Sequence, residues 1–113
     1  MSTPSSERPL VTTVDALLAE QGVRAYREFL RVPVMSLGLF APAPGHVDTQ
    51  QPHEQDEVYL VVAGRAVLEI GGTRTPVAAG SIAYLPAGEP HRFMEISEDL
   101  RVVAVFSPPG PTP

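Results

Sequence analysis

Residues 50–64 read QQPHEQDEVYLVVAG, and this stretch decides the fold. Gln51, His53 and Glu57 place three lone-pair donors within seven residues, directly before a strand-forming run that ends at Gly64. Along an extended chain, residues two apart share a face, so Gln51 and His53 point together. A short bend through Gln55 and Asp56, both expected to be solvated, lets Glu57 rejoin that face at the head of the strand. A surface turn would explain this polarity. Half of a metal site, completed further along the chain, would explain it too.

Outward from this stretch, the chain reads as short strands. EVYLVVAG is apolar on both faces, which predicts a strand covered on both sides. RAVLEIGG alternates, with Ala66, Leu68 and Ile70 on one face and Val67 and Glu69 on the other. Gly71 and Gly72 then form a two-residue hairpin turn into TRTPV. GSIAYLPAG is a short strand between turns, and HRFMEIS and LRVVAVFS are the last two strands. Upstream, RAYREFLRVP and VMSLGLFAP read as strands with Pro33 between them. APAPGHVDTQQP is a loop by composition. TTVDALLAEQG is the helix candidate, with Thr12 or Thr13 as cap, Asp15 in the first turn and Gly22 as terminator. Val14, Leu17, Leu18 and Gln21 fall on one face of it. Residues 1–10 read as a disordered arm, residues 11–107 as a single domain and the Pro-rich residues 108–113 as a flexible tail.

Thirteen prolines and nine glycines among 113 residues forbid long helices and suit many short strands. The pattern fits an antiparallel barrel or sandwich and does not choose between them. A hydrophobic fraction of 43% gives a real core in a chain of this length. The net charge of −5, with no basic run, disfavours nucleic acid and anionic membrane surfaces as partners. The absence of cysteine excludes thiolate nucleophiles and Cys-ligated zinc, so any metal must be held by His, carboxylate, amide or backbone groups. No apolar run reaches the roughly 20 residues of a membrane span. The N-terminus has no signal-peptide core, so a cytoplasmic protein is expected.

The second half of a metal site has a candidate in GSIAYLPAGEPH. Pro86 and Gly88 turn the chain sharply and deliver His91 at the head of another strand. If that strand pairs near the first, Gln51, His53, Glu57 and His91 converge inside a barrel. Tyr59 shares the face of Glu57, where it serves as core packing or as a catalytic hydrogen-bond donor. Phe93 shares the face of His91 as a cavity wall. His46 is read as a solvated loop histidine, and Glu95 as a residue without an assigned role.

Here the chain resembles the cupin superfamily. Gly45-x5-Gln51-x-His53-x3-Glu57-x6-Gly64 is similar to the first cupin motif, with glutamine in place of its first histidine. Gly80-x5-Pro86-x-Gly88-x2-His91 is similar to the second, whose final asparagine is Glu95 here. The resemblance implies a small single-domain cupin: an all-β antiparallel barrel, here with a short N-terminal helix. It implies one divalent metal at Gln51, His53, Glu57 and His91, and often a homodimer. His53, Glu57 and His91 form a two-His-one-carboxylate set, which suits Fe(II) and leaves open positions, with Mn(II), Ni(II) and Zn(II) as alternatives. Gln51 would be a weaker, neutral fourth ligand or a hydrogen-bond donor. The leading reading is a metalloenzyme with oxygen-dependent, dioxygenase-type chemistry on a small chelating organic substrate. Lewis-acid isomerisation, cyclisation or elimination is the runner-up. A non-catalytic module that binds a small ligand is the reading from another class. One face of the EVYLVVAG strand, with Val58, Leu60 and Val62, must point out of the barrel, and the helix or a second subunit is expected to cover it.

Overall fold

The computed structural model describes residues 8–49, 52–96 and 99–110. Gln51 lies outside the described residues. A helix, α1 (Val14–Gln21), precedes eight strands: β1 (Tyr26–Val32), β2 (Met35–Phe40), β3 (Asp56–Ala63), β4 (Arg65–Ile70), β5 (Thr73–Ala78), β6 (Ile82–Leu85), β7 (His91–Met94) and β8 (Arg101–Ser107). They form a five-stranded sheet in the order β1-β2-β8-β3-β6 and a three-stranded sheet in the order β5-β4-β7. Every pairing is antiparallel.

Turn chemistry sets the hairpins. Gly71 and Gly72 both take positive φ, 54° and 89°, between the paired ends Ile70 and Thr73. Such a turn matches the twist of the flanking strands, and only glycine takes both positions without a steric penalty. Pro76, which cannot donate to a ladder, sits on the edge strand β5.

The core lies between the sheets. Tyr59, Val61, Leu85, Val102, Ala104 and Phe106 line it from one side, and Ala66, Leu68, Val77 and Phe93 from the other. Burying each such side chain contributes roughly 1.5–3 kcal/mol. Alternation along β3 is clean: Glu57, Tyr59 and Val61 are buried, whereas Leu60 and Val62 are exposed. The expectation that β3 is covered on both sides therefore fails within one chain. The reason is where α1 lies. Thr13 caps it through Oγ1, which accepts from Ala16 N, and Gly22 closes it by donating to Leu18 O. Its buried residues are Leu17 and Gln21, and the Gln21 amide donates to the Leu39 carbonyl on β2. The helix thus covers the outer face near β2, where Leu39 is fully buried, and leaves β3 and β6 open.

The stretch expected to be a flexible tail begins with residues 108–110, which make defined contacts. Those residues cannot join a ladder, yet other groups take up their backbone. Arg31 donates to Gly110 O at 2.8 Å, Gln55 donates to Pro109 O at 3.1 Å, and Gly110 N donates to Ser36 Oγ at 2.8 Å. Gln55 is accordingly part of the structure rather than solvated. Asp56 is exposed but accepts from Ala87 N at 2.9 Å.

Candidate metal centre

His53, Glu57 and His91 reach one point inside the barrel, with a ligand atom of each within 4.8 Å of the others. Glu57 is the second residue of β3 and points inward, and it is 2% exposed. His53 stands in the loop before it. The His53 carbonyl accepts from Gly88 N at 2.7 Å, so the turn through Pro86 and Gly88 is tied directly to the histidine loop. That turn ends where β7 begins, at His91. The strand of His91 does not meet the condition, left open by the sequence, of pairing near β3. It pairs with β4 in the opposite sheet, and the site closes across the barrel interior.

The protonation pattern around His91 is informative. Its Nδ1 lies 2.9 Å from the Glu89 carbonyl, which only accepts, so Nδ1 carries the proton. In the neutral ring, Nε2 is then a bare lone pair. It faces Glu57 Oε1 at 3.2 Å, and His53 Nε2 lies 3.8 Å from the same oxygen. Glu57 Oε1 and His91 Nε2 are both buried without a well-aligned hydrogen bond among the described residues. Two buried lone pairs at this distance repel unless a cation lies with them, either a proton on His91 or a metal ion. Burial alone would lower the His91 pKa. The Glu57 carboxylate, the Glu89 carbonyl and the field of Asp48 outweigh it, and the net shift is upward. Donation from the second ring nitrogen to a carbonyl is also how metal-ligating histidines are held. The residues present fit a divalent ion.

Aromatic rings wall the site. Phe106 stands edge-on to His53 at 5.0 Å, and Tyr59 edge-on to His91 at 5.7 Å. Phe93 lies 5.0 Å from Tyr59 and 5.5 Å from Phe40, within the core. His46 is an exposed loop residue, with its ring edge-on to Phe40 at 5.9 Å. Glu95 is exposed, at φ 50°, and borders a shallow outer cleft with Arg65 and Pro76 rather than the metal cluster.

Two residues escaped the sequence reading. Asp48, buried in the long loop, accepts from Phe93 N at 2.8 Å and so anchors β7 beside His91. A lone acid in a loop gives no signal by spacing. Tyr26 begins β1 opposite Phe40 and lays its ring on Gly38. Its role depends on a register that the sequence alone leaves open.

The Cupin domain family matches residues 38–106. An uncharacterized protein of Streptomyces coelicolor, SCO3923, is 54% identical over 98 residues, which span 85% of this chain and 93% of that protein. Among solved structures, BH2720 from Bacillus halodurans superposes with a TM-score of 0.76 at 19% identity, over 94% of this chain and 85% of that one. KdgF from Halomonas sp. gives 0.68 at 24% identity, over 74% and 76%. A cupin 2 conserved barrel domain protein from Salinispora arenicola gives 0.67 at 22%, over 88% and 89%. The matched residues run from β2 to β8 and take in His53, Glu57 and His91, and the chain belongs to the cupin family.

Proposed function

We propose that this cupin is a divalent-metal enzyme acting on a small organic molecule that binds through oxygen. His53, Glu57 and His91 hold the ion, and Gln51 assists. The supporting observation is that Glu57 Oε1 and His91 Nε2 face each other at 3.2 Å, buried and without a well-aligned hydrogen bond among the described residues, while His91 Nδ1 donates to the Glu89 carbonyl. A bound ion supplies Lewis acidity with open positions, and in the form of Fe(II) it also supplies a site for dioxygen. The chain's own groups do the rest. Phe106, Phe93 and Tyr59 keep the ligand side dry, Glu89 fixes the His91 ring, and the Tyr59 ring packs against it. Oxygen-dependent turnover is the favoured chemistry.

Metal content by mass spectrometry, on protein purified without a His tag or chelator, tests the reading. About one equivalent is expected in the native chain and none in His53→Ala or His91→Ala. A chain that takes up neither Fe(II), Mn(II), Ni(II) nor Zn(II) sinks the proposal and leaves a plain ligand-binding barrel. Turnover that is equal under argon replaces the oxygenase reading with Lewis-acid isomerisation, cyclisation or elimination.

A further inference from the structure

The inner face of the five-stranded sheet can be read row by row from its register. One row runs Ser36, Phe106, Glu57, Leu85 across β2, β8, β3 and β6. The next runs Glu28, Gly38, Ala104, Tyr59, Ala83, starting on β1. The third runs Tyr26, Phe40, Val102, Val61. The middle row is the unusual one, because it carries a glycine and an alanine side by side in the centre of a packed sheet. Together they leave a floor without bulk, one row from the metal carboxylate.

Tyr26 uses that floor. A Cβ built on Gly38 would collide with Tyr26 Oη, Cζ and Cε1. The ring therefore leans out of its own row, over Gly38, toward the row of Glu57. Its hydroxyl makes no hydrogen bond among the described residues. Burial first, then the Glu28 and Glu57 carboxylates, push its pKa well above the ordinary 10.0. The phenol stays protonated and is a donor. Tyr26 remains 41% exposed, which leaves it open to an incoming molecule.

We infer that Tyr26 is the substrate-orienting donor of this barrel: a ligand anchored by one oxygen at His53, Glu57 and His91 accepts a hydrogen bond from the Tyr26 hydroxyl at a second oxygen. The inference rests on the metal reading above and adds a substrate class to it. Glu57 and Gly38 sit on strands separated by β8, roughly 10 Å between strand axes. Side chains reaching inward from both shorten the gap to one that a chain of roughly five carbons bridges. The second oxygen is neutral, a carbonyl or hydroxyl. The neighbouring Glu28 is already paired with Arg31 at 2.9 Å, so no spare cation awaits an anion there. The substrate class is thus a small organic acid or enol with a distal keto or hydroxy group.

The test uses Co(II)-loaded protein, with metal stoichiometry measured for every variant, and reads binding from the cobalt absorption bands. The probes are 4-oxopentanoate and 5-oxohexanoate against pentanoate and hexanoate, which lack only the distal oxygen. The native protein is expected to prefer at least one keto acid by about tenfold, the value of one good hydrogen bond. Tyr26→Phe should remove that preference while leaving metal content and affinity for the plain acids unchanged. Gly38→Ala keeps the phenol but displaces its ring, and should remove the preference as well. A native protein with no preference, or a preference that survives Tyr26→Phe, overturns the inference while the metal reading stands. Loss of cobalt in the native chain would instead strike the metal reading itself, and the inference with it.

Discussion

At the scale of single residues, the proposed metal role of His91 would couple proton and metal. Its raised pKa means that the metal-free protein gains stability from the charged ring. That contribution is fully present below the ordinary value of 6.5 and is lost as pH rises through the raised one. Metal binding needs the neutral ring and works in the opposite sense. The rise in Tm on adding a divalent ion is therefore expected to grow as the pH is raised from below the ordinary 6.5 through the raised value, as followed by calorimetry. A rise that is constant across that range would uncouple His91 from the ion. Asp48 carries a second prediction. Asp48→Ala leaves the Phe93 amide without its buried acceptor, at a cost of about 1–3 kcal/mol in urea melts. Asp48→Asn keeps an acceptor and should cost less. The candidate cluster was legible because glycines and prolines at fixed intervals frame His53, Glu57 and His91. Asp48 and Tyr26 were not, since one acts through a backbone amide 45 residues away in sequence and the other through a missing side chain at Gly38.

At the scale of elements, the three-stranded sheet is laced on its outer face by Glu69. From β4 it accepts from Arg74 on β5 at 3.1 Å and from Arg92 on β7 at 2.9 Å. The Arg74 bond, then the Arg92 bond, hold its pKa below the ordinary 4.5. Its contribution is present above that ordinary value and fades as pH falls through the lowered one. Glu69→Gln should lower Tm slightly at neutral pH, less so in high salt, and the gap should close in acid. A gap that persists unchanged in acid would show that the side chain acts by packing instead of charge. Strand identity was readable throughout this sheet because apolar and polar residues alternate and Gly71 with Gly72 marks the hairpin. Which strand neighbours which was not readable. β7 joins β4 across a connection that no local pattern specifies, and so the sheet that presents His91 stayed open at the level of the sequence.

At the scale of the whole molecule, the outer face of β3 and β6 has no cover among the described residues. Leu60 pairs with Ile82 and Val58 with Tyr84, and the exposures of Ile82 and Tyr84 are 74% and 60%. An apolar sheet face of this kind is where a second copy would pack. Sedimentation is expected to give a dimer mass, and Ile82→Asp should shift it toward monomer. A monomer mass that does not vary with concentration removes the idea. The tail has a practical consequence for anyone handling the protein. Gly110 is packed against Phe106 and Ser36, and Phe106 in turn touches His53. A hexahistidine segment fused directly after Gly110 would be tethered at high effective concentration beside the candidate ligands. It would contribute foreign imidazoles to the very cluster whose metal content is to be measured.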